Sequence, residues 1–295
     1  MKIPTLTLVT ALTTLCGMSS KAETVYLLTA DDQILTFDSA TPGTIISARS
    51  ITGLQTGETL RGLDARPATG TLYSLGSSSR LYTINPNTGA ATQVGSQFST
   101  LLNGTSFAFD FNPAVDRIRV ASDLNQNLRV NPNDAGVTVD GNFAYAPGDT
   151  YFSQNPNING VAYDNNFSGA LTTTLYAIDS LQNTLSIVTS PNAGTLSSIG
   201  LLGIDASRFN GFDISGASGV AYAVTPAASS DPGANLYTID LGTGAATLIG
   251  RIGTFDQDTL VRGMTVMAIP EPGVTALLAV GGCFGSLVLW RRRRS

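Results

Sequence analysis

Leu81-Tyr82-Thr83-Ile84-Asn85-Pro86-Asn87-Thr88-Gly89-Ala90-Ala91-Thr92-Gln93-Val94-Gly95 returns without a gap as Leu236-Tyr237-Thr238-Ile239-Asp240-Leu241-Gly242-Thr243-Gly244-Ala245-Ala246-Thr247-Leu248-Ile249-Gly250, identical at ten of fifteen positions. Each copy holds two short β-rich runs around an Asx-and-glycine turn. In such a turn the Asn or Asp side chain caps backbone N–H groups and the glycine takes the positive φ, so each copy reads as a β-hairpin. Weaker copies stand at Leu35-Thr36-Phe37-Asp38, Leu128-Arg129-Val130-Asn131 and Leu185-Ser186-Ile187-Val188.

A short strand precedes each copy: Tyr26-Leu27-Leu28, Leu72-Tyr73-Ser74-Leu75, Ile118-Arg119-Val120, Leu175-Tyr176-Ala177-Ile178 and Ala221-Tyr222-Ala223-Val224. Tyr holds the equivalent place in four of these five, and Arg119 holds it in the third. Further upstream lies an apolar run ending near Asp: Gly62-Leu63-Asp64, Phe107-Ala108-Phe109-Asp110, Val161-Ala162-Tyr163-Asp164 and Gly211-Phe212-Asp213. The unit is thus four strands with a period of roughly 46 residues, which predicts a β-propeller of five blades. A sandwich or an open solenoid is the competing all-β arrangement. The first unit lacks its opening strand, and Arg262-Gly263-Met264-Thr265-Val266, near the other end, mirrors Arg61-Gly62-Leu63. A C-terminal strand completing the N-terminal blade closes the ring and removes its open edges.

The repeats occupy residues 23–268. Residues 1–22 have a basic start at Lys2, an apolar run and Ser20-Lys21-Ala22, the pattern of a secretory signal peptide. At the other end Pro270-Glu271-Pro272 precedes an uncharged stretch, 273–290, and then Arg291, Arg292, Arg293 and Arg294. Eighteen residues at helical rise span about 27 Å, enough for one transmembrane helix with Trp290 at the interface. The arginines belong on the cytoplasmic side, which puts the β body outside. Residues 269–295 resemble the PEP-CTERM sorting signal of Gram-negative bacteria. That resemblance implies an exosortase-type processing enzyme as partner, a membrane-anchored intermediate, and a final place at the cell surface or in an exopolysaccharide or biofilm matrix.

Composition excludes several functions. Between Glu23 and Ala268 there are 20 acidic residues, 10 arginines and no lysine, an unsuitable balance for nucleic acid. The chain has no histidine, and its two cysteines, Cys16 and Cys283, lie in the terminal apolar segments. The body therefore lacks disulfides, thiol nucleophiles, His-dependent triads and the usual zinc ligands.

The stretch from Thr105 to Asn131, with Phe109-Asp110-Phe111-Asn112-Pro113 and Asp116-Arg117-Ile118-Arg119-Val120, resembles DUF4394, a family of bacterial secreted domains of unknown function. The likeness extends over most of Val25 to Val266. It implies no activity.

Within the body, charge concentrates in the third unit, where Asp110, Asp116, Arg117, Arg119, Asp123, Asn127 and Arg129 fall within twenty residues. Two readings compete: a blade-to-blade ion-pair network, since a buried arginine needs a carboxylate, and an anion or sugar-acid site built from Arg forks. Calcium is the conceivable cofactor, with oxygen-rich loops at Asp31-Asp32, Asp123 to Asn127, Asn131 to Asp134 and Asp164 to Asn166, although Asx turns account for each. Catalysis has little to work with: no nucleotide-binding or nucleophile-elbow pattern is present, and the body's two glutamates, Glu23 and Glu58, read as lying outside strands. The leading expectation is a non-enzymatic exported surface or matrix protein. A propeller hydrolase or lyase with a central cation, and a glycan- or peptide-binding module, are the alternatives.

Overall fold

The hairpin turns form as their residues dictate. Asn85 Oδ1 accepts the N–H groups of Asn87 at 2.9 Å and Thr88 at 3.2 Å, and Asp240 Oδ1 does the same for Gly242 at 2.8 Å and Thr243 at 2.9 Å. Gly89 and Gly244 then take φ of 77° and 83°. A computed structural model describes residues 22–206, 211–226, 233–253 and 260–268. Among these the regular structure is entirely β.

Blade 1 contains β1 (Glu23–Thr29), β2 (Gln33–Asp38) and β3 (Ile45–Ser50). Blade 2 is β4 (Leu60–Ala65), β5 (Leu72–Gly76), β6 (Arg80–Ile84) and β7 (Ala91–Val94). Blade 3 is β8 (Phe107–Asn112), β9 (Arg117–Ser122), β10 (Asn127–Val130) and β11 (Val137–Val139). Blade 4 has β12 (Ala144–Tyr145), β13 (Ile158–Tyr163), β14 (Leu175–Asp179), β15 (Thr184–Ser190) and β16 (Thr195–Leu201). Blade 5 is β17 (Gly211–Ile214), β18 (Ala221–Pro226), β19 (Ala234–Ile239) and β20 (Ala246–Arg251), and β21 (Val261–Ala268) follows.

These strands make five sheets, a five-bladed β-propeller. β21 pairs antiparallel with β1 from Glu23↔Ala268 to Thr29↔Val261 and supplies the innermost strand of blade 1, the expected closure. The inner strands touch in a complete ring, β4 to β8 to β13 to β17 to β21 and back to β4. Two details differ from the sequence reading. Blade 4 has a fifth strand, β12, laid parallel on β16. It is only two residues long, too short for any period to reveal. Glu23 is the first residue of β1, and it is buried because Ser215 and Ser218 of blade 5 donate their hydroxyls to its carboxylate.

Each blade interface is an apolar cluster. Leu28 and Ile34 meet Leu60 and Leu63 between blades 1 and 2, for example, and Leu75 and Leu81 meet Phe109 and Phe111 between blades 2 and 3. Both faces of an inner strand are therefore covered, and β13 is buried along its whole length. This is why the inner strands read as apolar runs without clean alternation.

The cross-strand register aligns the five inner strands with one another. The residues opposite Tyr26, Tyr73, Arg119, Tyr176 and Tyr222 are Thr265, Asp64, Asp110, Ala162 and Asp213. Two residues earlier stand Gly263, Gly62, Ala108, Gly160 and Gly211, small because the next blade inserts a large residue there. A Cβ on Gly62 would lie 2.5 Å from Phe109 Cβ, one on Gly160 3.1 Å from Phe212 Cβ, and one on Gly211 2.4 Å from Met264 Cγ. This knob-in-hole cycle draws the blades so close that the axis retains a void of only about 10 Å³ at that level.

The expected signal peptide at 1–22, apart from Ala22, and the sorting segment at 269–295 lie outside the described residues. So do Pro270, Glu271, Pro272, Arg291, Arg292, Arg293, Arg294 and the span 273–290. Among the described residues no helix is long and apolar enough to cross a membrane.

Candidate functional site

The polar and charged residues of the third unit separate into four places. Asp116 leaves blade 3 to pair with Arg66 of the β4–β5 turn, whose Nε donates to Asp116 Oδ1 at 2.8 Å. Asp123 caps a loop, accepting Thr105 N–H at 2.9 Å and Thr105 Oγ1–H at 2.6 Å. Asp110 lies near the axis. The other four, Arg117, Arg119, Asn127 and Arg129, gather at the boundary of blades 3 and 4.

There Arg119 is 2% exposed and fully engaged. Its Nη1 donates to Asp140 Oδ2 at 2.6 Å and to Asn127 Oδ1 at 2.7 Å, while Nη2 reaches Asn192 Oδ1 at 3.1 Å and Nε reaches the Tyr163 hydroxyl at 3.4 Å. Asn127 Nδ2 in turn donates to the carbonyls of Gly141 at 2.8 Å and Pro191 at 2.9 Å. Arg129 forks onto the same Asp140, through Nε at 2.6 Å and Nη2 at 3.1 Å. Asp140 is the residue that sequence reasoning missed. It follows β11 outside the charged cluster, and only the fold returns it to two arginines.

These groups wall a cleft of about 480 Å³ lined by Asn112, Arg117, Arg119, Arg129, Tyr163 and Asn192, among others. Arg117 Nη1 donates to the carbonyl of Asp116 at 2.8 Å, and among the described residues no carboxylate pairs with its guanidinium. Three arginines and no carboxylate are thus among the cleft's lining residues, and Asp140 pairs with two of the three, Arg119 and Arg129, in a body rich in acid. Burial and desolvation strengthen such a field relative to an open surface.

Near the axis, Asp64, Asp110 and Asp213 bring one carboxylate oxygen each to within 4.8 Å of the others, and all three are buried. Asp64 Oδ2 accepts Phe111 N–H at 2.7 Å, Asp110 Oδ1 accepts Tyr163 N–H at 2.9 Å, and Asp213 Oδ2 accepts Val266 N–H at 2.7 Å. Thr265 Oγ1 accepts Ala65 N–H at 3.3 Å. In every case the acceptor holds the N–H one residue beyond the equivalent position of the next blade. Ala162 interrupts this belt, because the Asp its sequence offers, Asp164, lies two residues further on and caps Thr174 instead. Burial, then the Asp213 charge, raises the Asp64 carboxyl well above the usual range; burial, then the Asp64 charge, does the same for Asp110. Burial pushes Asp213 up to about 6.

Side chains of the loops considered for calcium already accept hydrogen bonds, most of them within turns. Asp31 accepts from the Gln33 amide, Asp32 from Leu60 N–H, Asn131 from Asn133 N–H, and Asp134 from Gly136 N–H.

The family profile of DUF4394, described as a domain of unknown function, matches residues 33–265, nearly the whole propeller. The chain belongs to the DUF4394 family. No curated protein sequence matches this DUF4394 chain. Its fold is similar to that of a chain in a nidogen/laminin complex, with TM-score 0.50 and 12% identity over 85% of this chain and 99% of that one. It also resembles a protein of unknown function from Bacteroides thetaiotaomicron VPI-5482, with TM-score 0.48 and 15% identity over 83% of this chain and 62% of that one. At these identities the likeness concerns the DUF4394 fold alone.

Proposed function

We propose that this DUF4394 protein is a non-enzymatic, exported surface or matrix propeller that holds acidic polysaccharide in the cleft between blades 3 and 4. The observation that carries the reading is Arg117, a guanidinium without a carboxylate partner, beside Arg119 and Arg129 in a cleft of about 480 Å³. An Arg fork matches a sugar carboxylate in shape and charge, and the Asn192 and Tyr163 side chains beside it suit hydroxyl groups. The acidic remainder of the body repels the same polymer, which confines attachment to the cleft. The terminal segments add the route: export through the N-terminal signal, anchoring by 273–290 with Arg291 to Arg294 inside, and processing at Pro270-Glu271-Pro272 by an exosortase-type enzyme.

Titration of the full chain in detergent with galacturonate oligomers and neutral galactose oligomers tests the cleft. Binding of the acidic oligomer alone, weakened by salt and by Arg117→Ala, is expected; equal binding of both oligomers overturns it. Alkaline carbonate extraction tests the route, with the unprocessed chain expected in the membrane pellet. Its release as a soluble protein would remove the anchoring half of the proposal.

A hydrolase acting at the axis has the three aspartates in its favour. Their exposures of 0%, 1% and 0% for Asp64, Asp110 and Asp213 keep substrate away from them. They serve the fold better than a reaction.

A further inference from the structure

We propose that Asp64, Asp110 and Asp213 form a calcium site near the propeller axis, tying blades 2, 3 and 5 together. The first observation is geometric. Oxygens up to 4.8 Å apart surround a point within about 2.8 Å of all three, which a small closure brings to the 2.3–2.6 Å of calcium–oxygen bonds. The second is an orphan. Asp110 Oδ2 is buried without a hydrogen-bond partner, although Asp110 is 1% exposed. A carboxylate oxygen in that state costs several kcal/mol unless a cation or a proton meets it.

No arginine among the described residues pairs with any of the three carboxylates. The donors they do have are backbone N–H groups, the Thr265 hydroxyl at 3.1 Å from Asp213 Oδ2 and the Asn166 amide at 3.3 Å from Asp213 Oδ1. Up to three negative charges therefore converge with only dipoles to offset them. The ligand set is all oxygen, which selects a hard cation. Magnesium keeps several of its waters and needs near-octahedral geometry, whereas calcium accepts irregular carboxylate cages, so a buried site of this kind suits calcium.

Access exists at one mouth of the axis. A funnel of about 340 Å³ is lined by Ala65, Asn166, Thr265 and Val266 among others. Asn166 and Thr265 line this funnel and also touch Asp213, so the triad lies directly behind its wall. The three ligands come from blades whose inner strands are far apart in sequence, and the site would act as a rivet.

The test uses the full chain in detergent, stripped with chelator and titrated with Ca²⁺ alone or Mg²⁺ alone. One Ca²⁺ per chain is expected, with Tm raised by about 5 °C or more at a hundredfold excess over Kd, and a much smaller rise with Mg²⁺. Asp110→Asn should fold and lose the calcium-dependent rise, because its amide replaces the cation as partner for the neighbouring carboxylates. If that variant does not fold, tyrosine-sensitised Tb³⁺ emission from the wild type serves instead. Tyr73 and Tyr222 lie opposite Asp64 and Asp213 on paired strands, and Ca²⁺ should quench the signal by displacement. An unchanged Tm with Ca²⁺, or a rise that survives in Asp110→Asn, overturns the proposal. The first result means that the carboxylates share protons, the second that the ion sits in an Asx-rich loop.

Discussion

Asp213 Oδ2 accepts the backbone N–H of Val266 at 2.7 Å, so a carboxylate of blade 5 holds the strand that closes blade 1. The same oxygen accepts the Thr265 hydroxyl at 3.1 Å, and Thr265 passes the connection on by accepting Ala65 N–H in blade 2. Closure of the ring therefore depends on a side chain as well as on β21 pairing with β1.

Asp213→Ala should weaken closure by about 1–3 kcal/mol, the cost of leaving a buried N–H without its acceptor. Relief of repulsion from Asp64 and Asp110 moderates the loss. Urea denaturation read by tyrosine fluorescence measures it. A variant as stable as the parent would mean that strand pairing alone closes the ring.

The three inner aspartates also set a pH response. Their folded-state pKa values are raised, with Asp213 at about 6, so the folded chain binds more protons than the unfolded chain above the ordinary carboxylate value of about 4. Folding stability must then fall as pH rises through that window, by roughly 1 kcal/mol per unit for each proton involved. Burial raises Asp149, but the N–H groups of Tyr151 and Ser198 hold it low overall, and its contribution is lost only below about pH 4. In chelator, the urea midpoint should be higher at pH 5 than at pH 7. A midpoint that climbs between those values would contradict the burial of these carboxyls.

Gly62→Ala probes the knob-in-hole cycle. Its Cβ would stand 2.5 Å from the Cβ of Phe109, an atom fixed to the backbone of β8, so relief requires the blades to move apart. A loss of about 1–3 kcal/mol is expected. Gly57→Ala is a useful contrast: its added Cβ meets nothing within 4 Å, and its cost comes from φ of 76° instead. If Gly62→Ala unfolded at the parental midpoint, the blades would have to be less closely packed than described.

The architecture was legible because its signals repeat. The Tyr position marks the second strand of four blades, Arg119 marks the third, and Arg262 to Val266 reads as a displaced first strand. The apolar run ending in Asp was legible too, but its register was not. Blade 4 has the same bulge as blade 2, between Ile158 and Gly160 as between Leu60 and Gly62, so the position equivalent to Asp64 falls on Ala162, and Asp164 lies two residues beyond it. Convergence of Asp64, Asp110 and Asp213 was hidden for a different reason. Repeat spacing shows equivalence between blades, while only closure of the ring turns equivalence into proximity. Asp140 was hidden likewise, since its pairing with Arg119 and Arg129 depends on where the chain turns after β11.

The two arginines of β9 separate structure from binding. Arg119 spans blades 3 and 4, and its removal leaves Asp140, 6% exposed at the side chain, with Arg129 alone, while Asn127 and Asn192 lose their donor. Arg119→Ala should therefore cost about 3–5 kcal/mol and compromise the fold before any ligand is added. Among the described residues the Arg117 side chain makes one hydrogen bond, to the carbonyl of the residue before it. Arg117→Ala should change stability by no more than about 0.5 kcal/mol, yet lower affinity for galacturonate oligomers roughly tenfold or more, the worth of a charge-assisted hydrogen bond. Thermal unfolding and oligomer titration on the two variants give the comparison. Unchanged affinity in Arg117→Ala would leave the three arginines as a blade-to-blade clamp, with the cleft a by-product of their packing.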